Sequence, residues 1–227
     1  KYVEGLRLST IEQRVEEIKE DLDFFEDELQ KYEYIIDLGK KLEEFDEKDA
    51  RLIDYLARNE HTSPFRHLQL QVRCHAPIFI ARQLGKHQVG MSWNEESRRY
   101  VSSRPELFKQ EFRKAPQGGI KQGSSSEVTD YYPIVWIGNY AFTIEQVMEA
   151  LVDAYEYATD KDGDFQIAPE CARATLPQAM MTSWVWTGSL LSFFHLVRLR
   201  RDSHAQKEAQ VFAGHIEKIC MKHFPHC

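Results

Sequence analysis

The 227-residue sequence contains no uninterrupted apolar run of about eighteen residues, which excludes an ordinary membrane-spanning helix. Nor does the chain, which opens on Lys1, show the basic-then-apolar run of a secretory signal. Cysteine is scarce. Cys74, Cys171, Cys220 and Cys227 are scattered, so they read as reduced thiols of a cytoplasmic protein rather than a disulfide framework. An excess of positive charge is also lacking, and a formal net charge of −7 argues against general nucleic-acid binding. There is no GxGxxG and no GxxxxGK[ST], so neither a Rossmann nor a P-loop nucleotide site is supported. The C-terminal Cys220, His223, His226 and Cys227 lack the paired knuckles of structural zinc, and no metal is expected.

An apolar content of 42% is too high for a disordered chain and sufficient for a core. Charge is unevenly spread: residues 1–49 hold 17 acids against 8 bases and contain no His, Pro, Trp or Cys. This predicts an acidic helical extension over 1–46, ahead of a domain over 47–227 that carries the chemically versatile residues. In the extension Ser9 and Glu12 have capping-box spacing. Ile11, Val15, Ile18, Leu22, Phe25, Leu29, Tyr32 and Ile36 then recur at steps of 4 and 3, one apolar stripe that weakens at Gly39. Such a stripe packs on the body or on a partner helix.

A short helix is predicted from about Lys48 to Arg58. Leu68, Leu70, Val72 and Cys74 alternate with polar residues, the period of a half-buried strand. Pro77 suits the first position of a helix through Gly85, on which Gln83, Lys86 and His87 would share a face. The Pro-, Gly- and Ser-rich segment from Ser102 to Phe142 reads as a long irregular insertion. Thr143 and Gln146 would cap a helix burying Ile144, Val147, Leu151 and Tyr155. A strand at Thr182–Thr187, a helix at Ser189–Val197 and a last helix from Ala205, with Ala209, Phe212, Ile216 and Ile219 on one face, complete the reading. The fold class expected is α+β: a single domain of mixed helices around a small antiparallel sheet.

The stretch from Arg82 to Tyr100 interleaves four basic residues, His87, two glutamates and several amides and hydroxyls with Met91, Trp93 and Tyr100. A solvated face explains the polar residues but not the aromatics. Both together suit a cleft for a planar, phosphorylated ligand, because cations hold phosphate while carboxylates and amides hold ribose and ring edges. A second polar cluster runs from Arg198 to Gln206, and a third, His61-Thr62-Ser63-Pro64, precedes the first strand. Asp202, Ser203 and His204 stand in a row, where adjacent helical side chains would diverge and form no triad.

These segments resemble the flavin-dependent thymidylate synthases (ThyX). The family pattern H-x-[ST]-P-F-x-H is met by His61–His67, R-Q-x-x-R-H-R by Arg82–Gln88, S-x-R-Y by Ser97–Tyr100, and L-R-x-D-x-H-A-Q by Leu199–Gln206. Ala172–Pro177 and Thr187-Gly188 also match, so the likeness runs from about Glu47 to Pro225. Lys86 and Gln88 replace arginines of the pattern, and eight residues rather than seven separate Gln88 from Ser97. The run from Trp93 to Tyr100 (WNEESRRY) resembles phage-type members. Leu191 stands where some members carry arginine. The N-terminus departs from the family, and Lys31–Leu42 instead resembles the opening of SufE-type sulfur acceptors, without their cysteine segment.

The resemblance implies a ThyX-type fold and the reductive methylation of dUMP to dTMP. Methylenetetrahydrofolate would give the carbon, NADPH the electrons and FAD the hydride relay, in a homotetramer with shared active sites. By position it puts Ser63, Lys86, His87, Gln88, Glu95, Ser189 and His195 at FAD. It puts Gln83, Lys86, Glu95, Ser97, Arg98, Arg99, Arg173 and Arg200 at dUMP, with Arg200 as the catalytic residue favouring ionised uracil N3. No cysteine lies in the matching motifs, which suits a flavin route better than a cysteine nucleophile. Two rival readings are an inactive relative that only binds nucleotide or flavin, and a helical interaction module built on the extension.

Overall fold

A computed structural model describes residues 46–101, 103–116, 126–129 and 133–227, with 15, 16, 18–20, 22, 23, 27, 30–34 and 37 of the N-terminal stretch. The chain divides into two compact units, Lys1–Leu52 and Ile53–Cys227. In the first, the described residues are helical apart from Asp46 and Asp27. Of the predicted apolar stripe, Ile18 and Leu22 are half-buried, whereas Val15 and Tyr32 are exposed. Ser9, Ile11, Glu12, Phe25, Leu29, Ile36 and Gly39 lie outside the described residues. Helix α1 spans Glu47–Arg58. The Asp46 carboxylate caps it, accepting from the amides of Lys48 (2.7 Å) and Asp49 (3.0 Å).

The second unit is built on a three-stranded antiparallel sheet in the order β1 (Gln69–Pro77), β5 (Met181–Ser189), β2 (Met91–Glu95). Along β1 the residues Leu70, Val72, Cys74 and Ala76 point inward, and along β5 Thr182, Trp184, Trp186 and Gly188 do the same. The register sets Val72 and Trp93 on either side of Trp186, and Cys74 and Glu95 on either side of Trp184. Trp93 stacks on Trp184 at 4.4 Å, and Trp184 stacks on Phe212 at 5.6 Å. Phe193 meets Trp186 edge-on. Among the described residues the indole N–H groups of Trp184 and Trp186 have no hydrogen-bond partner, so these rings are held by apolar burial and ring contacts.

Helices close the core from one side. Helix α2 (Ile78–Leu84) follows β1 directly, and its first amides donate to Met180 O (2.9 Å, from Ile78) and Gln178 O (3.2 Å, from Phe79). Helix α5 (Leu190–Arg200) follows β5, capped by the Ser189 hydroxyl at the Ser192 amide, and α6 (Lys207–His223) packs against it. Leu190, Phe193 and Leu196 of α5 meet Ala209, Ala213, Ile216 and Cys220 of α6 in the same core.

Several expectations are corrected at their edges. The predicted strand at Leu68–Cys74 begins at Gln69 and continues to Pro77, because its alternation persists through Ala76. Pro77 is extended and caps α2 instead of opening it, and α2 stops at Leu84, so Lys86 and His87 lie beyond the helix. Likewise Ser189 caps its helix and belongs to β5, and the last helix starts at Lys207.

The segment expected to be an irregular insertion is not wholly irregular. It contains the hairpin β3 (Ile134–Ile137) and β4 (Tyr140–Thr143), turned at Gly138, whose positive φ of 60° suits glycine. Glu106–Phe108 also joins Ala179–Met181 by backbone bonds, and Arg104 is held by Glu149, Asp153 and Glu156 of α3 (Ile144–Thr159). The Thr143–Gln146 capping box is present at the start of α3. Val152 and Tyr155 are buried there, while Ile144, Val147 and Leu151 are half-buried.

Trp186 is fully buried at the centre of the sheet. Trp186→Ala is expected to cost about 3–5 kcal/mol by the cavity it leaves, read by denaturant unfolding. Near-wild-type stability would show that β5 is not the centre of the core.

Candidate active site

The turn into β2 depends on two glycines. Gly90 has φ +69°, and a Cβ there would sit 2.4 Å from Ser192 Oγ. A Cβ on Gly188 would meet Met91 Sδ at 2.3 Å. These close approaches let β2 lie flat on β5, with Met91, Trp93 and Glu95 on one face at alternate positions.

Two adjoining cavities open beside that face. The larger, about 780 Å³, carries Arg82, Glu95, Ser97, Arg98, Glu170 and Arg173 on an apolar floor that includes Ile78 and Met180. The smaller, about 510 Å³, is lined by Lys86, His87 and Gln88 opposite Ala81, Met91 and Trp93. Ile78, Arg82 and Glu95 belong to both. Ile78 and Arg82 are one turn apart on α2, and Glu95 ends β2, so helix and strand meet at the shared wall.

Glu95 is fixed from both sides. The Thr182 hydroxyl donates to its Oε1 at 2.8 Å, and Trp93 Nε1 donates to its Oε2 at 3.3 Å. On the larger cavity Arg98 donates to the Ser103 carbonyl, and Arg173 Nε donates at 3.3 Å to the carbonyl of Glu170, in the short helix α4 (Pro169–Ala172). Behind the smaller cavity, Arg200 Nε donates to His87 Nε2 at 2.9 Å, and its Nη2 donates to the Gln83 carbonyl at 3.1 Å. The Gln83 amide in turn donates to Gln206 Oε1. Burial, and then the positive charge of Arg200, hold His87 below the ordinary imidazole range. A neutral His87 keeps Nε2 free to accept from a guanidinium that never gives up its proton.

The expected site residues thus divide by place. Glu95, Ser97, Arg98 and Arg173 line the larger cavity, while Lys86, His87, Gln88 and again Glu95 line the smaller. Gln83 and Arg200 stand one side chain behind His87. Arg99 is turned to its neighbour, bonding Tyr100 Oη at 3.1 Å and lying over that ring. Ser63 caps a 3-10 turn, Ser189 caps α5 and bonds Ser192, and His195 is exposed; none of the three lines either cavity. Asp202 and His204 do meet, at 2.8 Å, because the chain there is a bend rather than a helix; Ser203 takes no part.

The resemblance assigns Arg82 no role, yet it borders both cavities. Its signal was available: it sits one helical turn after Ile78 and opens the R-Q segment.

A family model for the thymidylate synthase complementing protein matches residues 11–226. That match begins well before Glu47, inside the stretch set apart as an extension. The chain is 35% identical over 181 residues to the flavin-dependent thymidylate synthase of Treponema denticola, covering 76% of this chain and 63% of that protein. It is 37% identical over 172 residues to the one from Treponema pallidum, covering 75% and 54%. It is 35% identical over 173 residues to the one from Kosmotoga olearia, covering 76% and 71%. The chain therefore spans less than two thirds of the length of the two Treponema proteins. By the extent of the model match and its likeness to these relatives, the chain belongs to the thymidylate synthase complementing protein family.

Proposed function

We propose that this chain catalyses the reductive methylation of dUMP to dTMP, using methylenetetrahydrofolate, NADPH and FAD, in the cytoplasm. The observation that carries the reading is the pairing of the two cavities. Of the residues expected at the nucleotide, Ser97, Arg98 and Arg173 line the larger one; of those expected at flavin, His87 and Gln88 line the smaller, beside Lys86, expected at both ligands; and Glu95, also expected at both, lies on the shared wall.

The donor set fits the groups it would hold. The smaller cavity offers an apolar wall of Ala81, Met91 and Trp93 for a planar ring, with Lys86, His87 and Gln88 for polar edges and phosphate. When bound, the flavin supplies hydride transfer. In the larger cavity Arg98, Arg173 and Ser97 suit a phosphate dianion and sugar. Glu95, already ordered by Thr182 and Trp93, would orient the nucleotide without a further entropic cost. Arg200 lines neither cavity; the uracil ring would have to reach it beside His87 for its guanidinium to stabilise the anion left when N3 loses its proton, which makes C5 the more nucleophilic carbon. His87 and the Gln83 carbonyl keep that guanidinium positioned.

The proposed assembly is a homotetramer with active sites shared between subunits, a reading consistent with Ser63, Ser189 and His195 lining neither cavity of one chain. Residues 1–46 are proposed as an acidic helical extension to a catalytic domain over 47–227.

Purified protein is expected to show the visible flavin absorption, perturbed on addition of dUMP. A colourless protein that stays so with added FAD would overturn the reading. Arg200→Ala should lower turnover by about a hundredfold or more, the scale of losing one charge-stabilising donor. Unchanged turnover would mean that another group ionises N3.

His87 gives a pH dependence of stability. Its folded pKa lies below the 6.5 of a free imidazole, so the unfolded chain takes the proton first as pH falls. Stability is therefore fully present above that range and declines as pH drops through it. His87→Gln should flatten this decline in denaturant titrations between neutral and mildly acidic pH. An unaltered slope would show that His87 is not the titrating group.

A further inference from the structure

A third cavity, of about 450 Å³, lies apart from the residues assigned to nucleotide and flavin. It sits across the start of β5 from the larger cavity: Met181 lines it, whereas Met180 and Thr182 line the other. Its volume is within the range of small-molecule sites. Pro77, Ile80, Phe108 and Phe212 give it an apolar wall, closed on one side by α6.

The charged groups around this wall are not balanced. Glu208 is engaged by Arg113 and by the Gln110 amide, and Glu111 lies 3.8 Å from the same arginine. Both acids of the lining are thus committed to Arg113. Lys109, Lys207 and His215 also line the cavity, and among the described residues their side chains form no ion pair or hydrogen bond. The uncompensated charge is therefore positive, on a chain whose net charge is −7. His75, the remaining titratable group, bonds Ser183 Oγ at 2.9 Å and Glu106 at 3.2 Å.

We propose that this cavity binds a small aromatic anion, its ring against Ile80, Phe108 and Phe212 and its carboxylate or phosphate at Lys109 and Lys207. An apolar slot with cations at its mouth selects that combination. A neutral aromatic forgoes the charge-assisted bonds, and a bare inorganic anion forgoes the apolar burial.

The test is titration of the full chain with 2-naphthoate, followed by calorimetry, beside its neutral counterpart 2-naphthalenemethanol. One saturable site per chain is expected, with affinity for the neutral compound lower by roughly tenfold or more, the worth of one charge-assisted contact. The Lys109→Gln/Lys207→Gln double variant should lose a similar factor. Val211→Trp, at an exposed rim position, should block binding by occupying the slot. Saturating FAD and dUMP should leave naphthoate binding unchanged. Equal affinity for both compounds, full binding by the double variant, or displacement by FAD or dUMP would each overturn the proposal. Since the readout is naphthoate binding rather than turnover, failure of the thymidylate reading would not be mistaken for failure here.

Discussion

Everything in the larger unit hangs on the burial of two tryptophans on one face of the central strand. Trp184 and Trp186 of β5 are almost wholly enclosed, with β1 on one side and β2 on the other. Among the described residues their indole nitrogens have no partner, so no hydrogen bond there offsets the cost of dehydrating them. Apolar area and ring contacts with Trp93, Phe193 and Phe212 must outweigh that cost. Because Trp93 lies on the edge strand that also carries Glu95, the contact that builds the core also aims the site.

The site follows from where that sheet ends. Helix α2 is anchored at the start of β5 by the carbonyls of Gln178 and Met180, which brings Ile78 and Arg82 against Glu95. Helix α5 leaves the other end of β5 and returns Arg200 to His87, at the finish of the segment that α2 begins. A polar layer of Gln83, His87, Arg200 and Gln206 thus joins the α2 segment to α5 and the start of α6, 113 to 123 residues away. Its charge is tolerable because burial keeps His87 neutral beside an arginine.

Much of this was legible in the sequence where a local rule governed. The alternation from Leu70 onward marked β1, and Thr143 with Gln146 marked the start of α3, since both signals are carried by neighbouring residues. Two of the four motifs, Arg82–Gln88 and Ser97–Tyr100, supply residues that line the two cavities. Less could be read where long-range pairing decides. The hairpin at Ile134–Thr143 lay hidden in a proline- and glycine-rich segment, because its partner strands are short and its outward side chains include apolar ones such as Trp136. The Arg200–His87 bond spans 113 residues, and no periodicity reports it. Arg82 has a visible helical position, but its place on the shared wall depends on how α2 meets β2.

The central claim is that the paired cavities hold a pyrimidine nucleotide beside a flavin so that a one-carbon unit is transferred to it. The most direct measurement is formation of dTMP by the purified chain supplied with dUMP, methylenetetrahydrofolate, FAD and NADPH. The account predicts dTMP in step with NADPH consumed, and none when dUMP or the folate is omitted. Flavin and dUMP binding with no dTMP formed would contradict it, and would leave a binding protein in place of an enzyme.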